Sequence, residues 1–197
     1  MSLPRTFLFL TMSLVSSSLV PLTAVADVPT AASSEVEVLG VAQGTELTLV
    51  GSKVTGSHDI QLPVSSGTVS VQEGAVTGTQ MNFDMTSLVS DNERLTGHLK
   101  SDDFFDIESH PTASFVSTSI ERPSGRSGQV QVTGNLTIRG TTRSITFPAR
   151  IRVAERGVQV SAEFTIDRQN WGISYPGMVD DLIRDDVLVR FDLSAGS

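Results

Sequence analysis

The chain has 197 residues, with 22 acidic against 14 basic side chains, three histidines and no cysteine. A net charge of −8 argues against nucleic acid as a partner and against residence on anionic lipid headgroups. The absence of cysteine excludes a disulfide framework and a lipidated cysteine, so an apolar core must hold the fold, and the length suffices for one such domain.

Residues 1–26 read as a signal peptide. Arg5 is the single charge ahead of an apolar, Ser-rich stretch over 7–20, and Ala24-Val25-Ala26 supplies a small-x-small cleavage site. Cleavage after Ala26 removes Arg5 and no acid, taking the charge from −8 to −9. The stretch is short for a membrane span and no other long apolar run follows. The expectation is a soluble periplasmic or secreted protein without stable membrane insertion. Residues 27–34, "DVPTAASS", read as a flexible leader, and 35–197 as the folded domain.

From there the dominant signal is period two. Strands are expected at 46–54 (Leu47, Leu49), 67–73 and 76–85, the last with Met81, Phe83 and Met85 on one face. Residues 90–100, "SDNERLTGHLK", break the pattern and read as a helix, with Ser90 and Glu93 at capping-box spacing and Leu95 and Leu99 four apart on one face. Ser101 can cap a further short turn with Asp102 and Asp103 at its positive end. Pro111 forces His110 out of helical geometry and starts a strand over 112–120. Clean alternation follows at 129–139 (Val130, Val132, Gly134, Leu136, Ile138), 145–153 (Ile145, Phe147, Ala149, Ile151, Val153) and 158–167 (Val158, Val160, Ala162, Phe164, Ile166), and less cleanly at 187–193. Strands with one dry and one wet face belong to antiparallel sheets. About eight of them at short spacing imply an all-β sandwich or up-and-down barrel, and a barrel of this size is either filled or holds one small ligand.

Chemistry-bearing patterns are sparse. His58, His98 and His110 share no metal-ligand spacing. The string Gly125-Arg126-Ser127-Gly128 lacks nucleophile-elbow spacing, and no phosphate loop or dinucleotide fingerprint occurs, so no cofactor is expected. The doublets Asp102/Asp103, Asp180/Asp181 and Asp185/Asp186 are sequence neighbours that point apart. A hydrolase built on Asp102, His98 and His110 is the enzymatic alternative. The binding reading rests on Gly134, Ala149 and Ala162, which put a small residue midway along three inward faces. They describe a hollow apolar waist if their levels align, or room for bulky residues across a filled core. A filled barrel would suit a protein-interaction or stress-response module.

Residues 95–120, "LTGHLKSDDFFDIESHPTASFVSTSI", 132–151, "VTGNLTIRGTTRSITFPARI", 164–173, "FTIDRQNWGI", and 185–193, "DDVLVRFDL", resemble the YceI-like family of exported lipid-binding proteins. The "GSKVTGSHD" stretch at 51–59 is similar to one subgroup, and the resemblance spans about residues 44–194. It implies a lipocalin-like antiparallel barrel of about eight strands, with a short helical segment over one end. It also implies a polyisoprenoid or other long-chain lipid, such as an isoprenoid quinone tail, as non-enzymatic cargo. Within that frame Phe83, Phe115, Leu136, Ile138, Phe147, Ile151, Phe164 and Ile166 are the expected cavity lining, with Ala149 and Ala162 at the waist. Leu99, Phe104 and Phe105 would come from the covering segment, either phenylalanine facing the ligand. Arg168 and Asp167 are expected to anchor a turn rather than touch the ligand. Two departures stand out: Pro63 in "IQLPV" suggests a sheet edge or broken ladder, and Trp171 replaces the more usual Phe, making it a further ligand-contact candidate. A homodimer through exposed strand edges is an additional expectation.

Overall fold

The computed structural model describes residues 35–124 and 128–196. The signal-peptide and leader readings and the centre of the loop at 122–128 lie outside the described residues. The strands are β1 (Val36–Val41), β2 (Glu46–Lys53), β3 (Gly56–Gln72), β4 (Ala75–Asp84), β5 (Val89–Ser90), β6 (Thr112–Glu121), β7 (Gln129–Ile138), β8 (Thr141–Ala154), β9 (Gly157–Asp167), β10 (Gly177–Met178) and β11 (Asp181–Gly196). Among the described residues one α-helix, α1 (Glu93–Lys100), interrupts them. Eight strands close an antiparallel barrel in the order β2, β3, β4, β6, β7, β8, β9, β11, with β11 returning to β2.

Alternation explains the pairing. Along β7, Val130, Val132 and Gly134 are buried between exposed Gln131 and Asn135. Its register with β8 runs unbroken from Gln129↔Arg150 to Ile138↔Thr141. Arg139 and Gly140 turn the corner with φ of 49° and 67°, the left-handed pair that matches the twist of the flanking strands. On β8 the dry face stops at Ile151, because Val153, expected inside, is exposed.

Strand β3 is long enough to serve two partners. It pairs with β2 from Gly56 to Pro63 and with β1 from Thr68 to Gln72. Pro63 therefore breaks no wall: it is the last residue of the β2 ladder, beside the register shift between Val64 and Ser66 against β4. Strand β1 takes the place β2 vacates and reaches β11 at Gly40 and Val41. It escaped the period-two reading because Val36 and Val38 are exposed and only Leu39 is buried.

The segment 85–111 folds over one end as a lid. Helix α1 starts at Glu93, with Asn92 Oδ1 accepting from the Leu95 N–H at 3.0 Å. The expected Ser90–Glu93 capping box does not form, because Ser90 pairs with Ile60 of β3 as part of β5. Leu99 is buried and Leu95 packs partly against the core, so the expected apolar face is present. Ser101 closes the helix by donating to His98 O at 2.8 Å, and its carbonyl accepts from the Phe104 and Asp106 N–H groups.

Strands β8 and β9 are joined only over Ala149↔Ala162 to Ala154↔Gly157. Toward the lid no register pair links them among the described residues. Pro148, which has no N–H, stands where the ladder ends. Beyond it Phe147 and Phe164 stack face to face, ring centroids 4.1 Å apart and planes 11° from parallel.

Candidate ligand cavity

The barrel encloses a cavity of about 130 Å³. Near the lid its wall is made by Met85, Phe105, Arg168, Trp171, Ile173 and Val187; at the far end by Val69, Val76, Ile120, Val132, Val160 and Leu193. Phe147 is the hub between them, 5.6 Å from Phe115, 4.1 Å from Phe164 and 6.3 Å from Phe191. Among the described residues no polar atom is exposed on the wall, so Thr79 and Arg168 contribute carbon only. Such a surface offers a ligand area and dispersion but nowhere to place a polar head.

Phe83, Phe115, Leu136, Ile138, Phe147 and Ile151 lie on this wall, as do Phe164, Ile166 and Trp171. Trp171 is fixed by donation from Nε1 to Leu136 O at 3.1 Å. The adjacent phenylalanines divide: Phe105 faces the cavity, while Phe104 is buried behind it, its ring 4.9 Å from His98 and 5.3 Å from Tyr175. Leu99 is likewise buried in the lid, off the wall.

Ala149 and Ala162 also lie off the wall, and no single narrow level forms with Gly134. Gly134 is paired with Ile145, whereas Ala149 is paired with Val130 and Ala162. The space at Gly134 belongs to the Phe115 ring: a Cβ there would meet its Cζ at 2.4 Å and Val116 O at 2.6 Å. The small residue thus makes room for a large one across the strand pair. In the Ala149–Ala162 rung, the next residue round the barrel is Phe191.

Leu47, Leu49 and Leu62, together with Val189 and Phe191 of β11, complete the wall and were not singled out from the sequence as lining. The signal at 187, 189, 191 and 193 is blurred by Leu188, an apolar residue on the opposite face of the strand. Arg168 anchors a turn, as expected, by donating to Ile173 O at 2.9 Å, Arg184 O at 3.3 Å and Asp185 Oδ1 at 2.9 Å. Against the expectation that it would stay clear of the ligand, its alkyl stem lines the cavity, while its charge is paired with Asp185 at the rim. Asp167 caps the same turn by accepting from the Gln169 N–H at 2.9 Å.

The acids of the lid pair with histidines of the lid and of β3. His58 Nδ1 lies 2.8 Å from Asp91, His98 Nε2 3.1 Å from Asp103, and His110 Nε2 4.0 Å from Asp106. Lys100 donates to Thr86 O at 2.6 Å. At the lid's start, the hydroxyls of Ser87 and Thr86 donate to Asp84 and hold its carboxyl below the usual carboxylate range. These contacts tie lid turns to each other and to β3.

Comparison with known proteins gives the same architecture. A solved structure of BcnA from Burkholderia cenocepacia superposes with a TM-score of 0.65 at 21% identity, covering 77% of this chain and 96% of that one. A polyisoprenoid-binding domain from Saccharophagus degradans, implicated in plant cell wall breakdown, superposes with a TM-score of 0.62 at 16% identity, covering 83% and 99%. Among curated relatives, a UPF0312 protein of Pseudomonas putida is 30% identical over 110 residues, 53% of this chain and 56% of the relative. One of Vibrio parahaemolyticus is 35% identical over 86 residues, 43% and 44% of the two chains. The chain thus spans about half the length of the curated relatives it matches. The model of the YceI-like domain matches residues 29–195, and with this barrel beneath that match the chain belongs to the YceI-like family.

Proposed function

We propose that the protein carries or stores a long apolar lipid, a polyisoprenoid such as an isoprenoid quinone tail, without chemically changing it. The observation that supports this best is the cavity wall: it has lining residues from the lid and from the far end, with the Phe147 hub between them, and among the described residues it exposes no polar atom. Each methylene moved from water onto such a wall contributes about 0.8 kcal/mol, so a long chain is held by area without a polar motif. The Saccharophagus domain with this fold, described as polyisoprenoid-binding, lends the ligand class its support. Export follows in this proposal from the signal peptide read at 1–26, which places the carrier in the periplasm or outside the cell. The proposed contacts are the wall residues named above, with Phe105 reaching the ligand from the lid and Phe104 holding the lid in place.

The test is extraction of protein purified from several hosts with organic solvent, followed by mass spectrometry. A long-chain prenyl lipid in stoichiometric amount from each host is the expected result. Phospholipid background in all of them would overturn the proposal.

A further inference from the structure

The end of the barrel that carries the lid also carries an apolar knob that no part of the core needs. Strands β10 and β11 pair at Met178↔Asp181, leaving Val179 and Asp180 as a two-residue turn. The positive φ of this hairpin, 87°, falls on Gly177, outside the two turn residues, so the turn itself accepts a branched side chain. Here a valine stands at the apex, 92% exposed, next to Met178 at 74%. Leu182, 52% exposed, accepts through its carbonyl from the Val54 N–H at 3.2 Å, which sets Val54, 67% exposed, beside it at the β2–β3 turn. Asp181 locks the two turns together by accepting from the Thr55 N–H at 3.1 Å, the Thr55 hydroxyl at 2.9 Å and Lys53 Nζ.

We propose that this knob, Val54, Met178, Val179 and Leu182, docks the protein on the zwitterionic surface of a lipid bilayer and presents the lid end of the cavity to it. Three features favour a bilayer. The knob is the exposed tip of a hairpin tied to the neighbouring turn through Asp181, a projection that can enter an interfacial layer. It contains no cationic ring among the described residues: Lys53 is engaged by Asp181 and Arg168 by Asp185, and Asp180 and Asp186 outnumber Arg184 in the flanking sequence. An acidic knob on a chain of net charge −8 is repelled by anionic headgroups and is left with apolar insertion. The knob is also joined to the lid, because Tyr175, just ahead of the hairpin, lies 4.7 Å from the His98 ring and 5.3 Å from Phe104. The purpose assigned to docking, exchange of lipid with a membrane, rests on the carrier reading above.

The chain has no cysteine, so single sites can be labelled. The variants Val179→Cys and, at the opposite end of β8, Val153→Cys would each carry an environment-sensitive fluorophore. Both would be mixed with phosphatidylcholine vesicles and with vesicles containing phosphatidylglycerol. The expected result is a several-fold rise with a blue shift at position 179 on phosphatidylcholine, a smaller rise when phosphatidylglycerol is present, and none at 153. A silent position 179, an equal response at 153, or a response that requires phosphatidylglycerol would overturn the proposal. A dispersed prenyl alcohol, offered without vesicles and assayed by extraction, separates the two readings. Uptake with a silent knob sinks docking and leaves carriage; a responsive knob without uptake supports docking and sinks carriage.

Discussion

At the scale of single residues, neighbours in sequence have separate work. Phe104 is buried against His98 and Tyr175, and Phe105 faces the cavity. Truncation of Phe104 leaves a hole in the lid's packing and should cost about 3–5 kcal/mol. Phe105→Ala removes a wall surface, so it should weaken lipid binding more than it lowers stability. Denaturant melts and lipid titrations on both variants check this, and equal losses in both readouts would reject the division. Gly134 has a steric role, because an added Cβ would press on both the Phe115 ring and the Val116 carbonyl. Gly134→Ala should destabilise by about 1–3 kcal/mol, read as a lowered denaturant midpoint, since the backbone oxygen cannot swing away as a side chain can.

At the scale of elements, the lid differs from the barrel in how it is held. The barrel strands are held by long ladders; the lid is held by the buried side chains of Leu88, Leu99 and Phe104 and by short polar contacts, several of them to carboxylates. Asp84 is the clearest of these, its ionised form stabilised by the Ser87 and Thr86 hydroxyls. Because its folded pKa is depressed, this contribution is complete above the ordinary carboxylate value of about 3.9 and is lost as pH falls through the lowered one. Amide exchange at residues 85–90 should therefore quicken below about pH 4, ahead of the β7–β8 ladder. In Asp84→Asn that acid-dependent step should vanish; its persistence would assign the loosening to other groups. The same contrast explains what the sequence made legible. Strands β7, β8 and β9 could be read residue by residue because one face is dry and the other wet. The helix start could not, because pairing of Ser90 with Ile60, a residue thirty positions away, outcompeted a local cap. The narrow waist failed for a related reason: strand register, invisible from either strand by itself, puts Gly134 and Ala149 on different rungs. Which phenylalanine faces inward depended on the lid's docking, through Tyr175 from the far end of the chain.

At the scale of the whole molecule, the aromatic hub limits what the barrel can hold. Phe147 bridges Phe115, Phe164 and Phe191 across the interior, between the lid-end wall and the far-end wall. A short chain can sit on one side of the hub, whereas a long one must push the rings aside. In a series of prenyl alcohols of increasing length, affinity should rise at first, by up to about 0.8 kcal/mol per buried methylene, and then level where the chain meets the hub. Phe147→Ala removes the bridge, so levelling should move to longer chains. The Phe164 face and the space it opens keep the wall apolar, so the gain should appear only for long ligands. Binding also feeds back on folding. Free lipid at about a hundred times its Kd adds about 2.7 kcal/mol to stability. For a domain of this size each kcal/mol raises Tm by roughly 2–4 °C, giving a shift of about 5–11 °C. Calorimetry on stripped and reloaded protein, wild type beside Phe147→Ala, reads both effects in one experiment. An affinity indifferent to chain length in both proteins would show that the interior is not where the lipid goes. A variant that levels at the same length as wild type would free Phe147 of its assigned role while leaving the cavity in place.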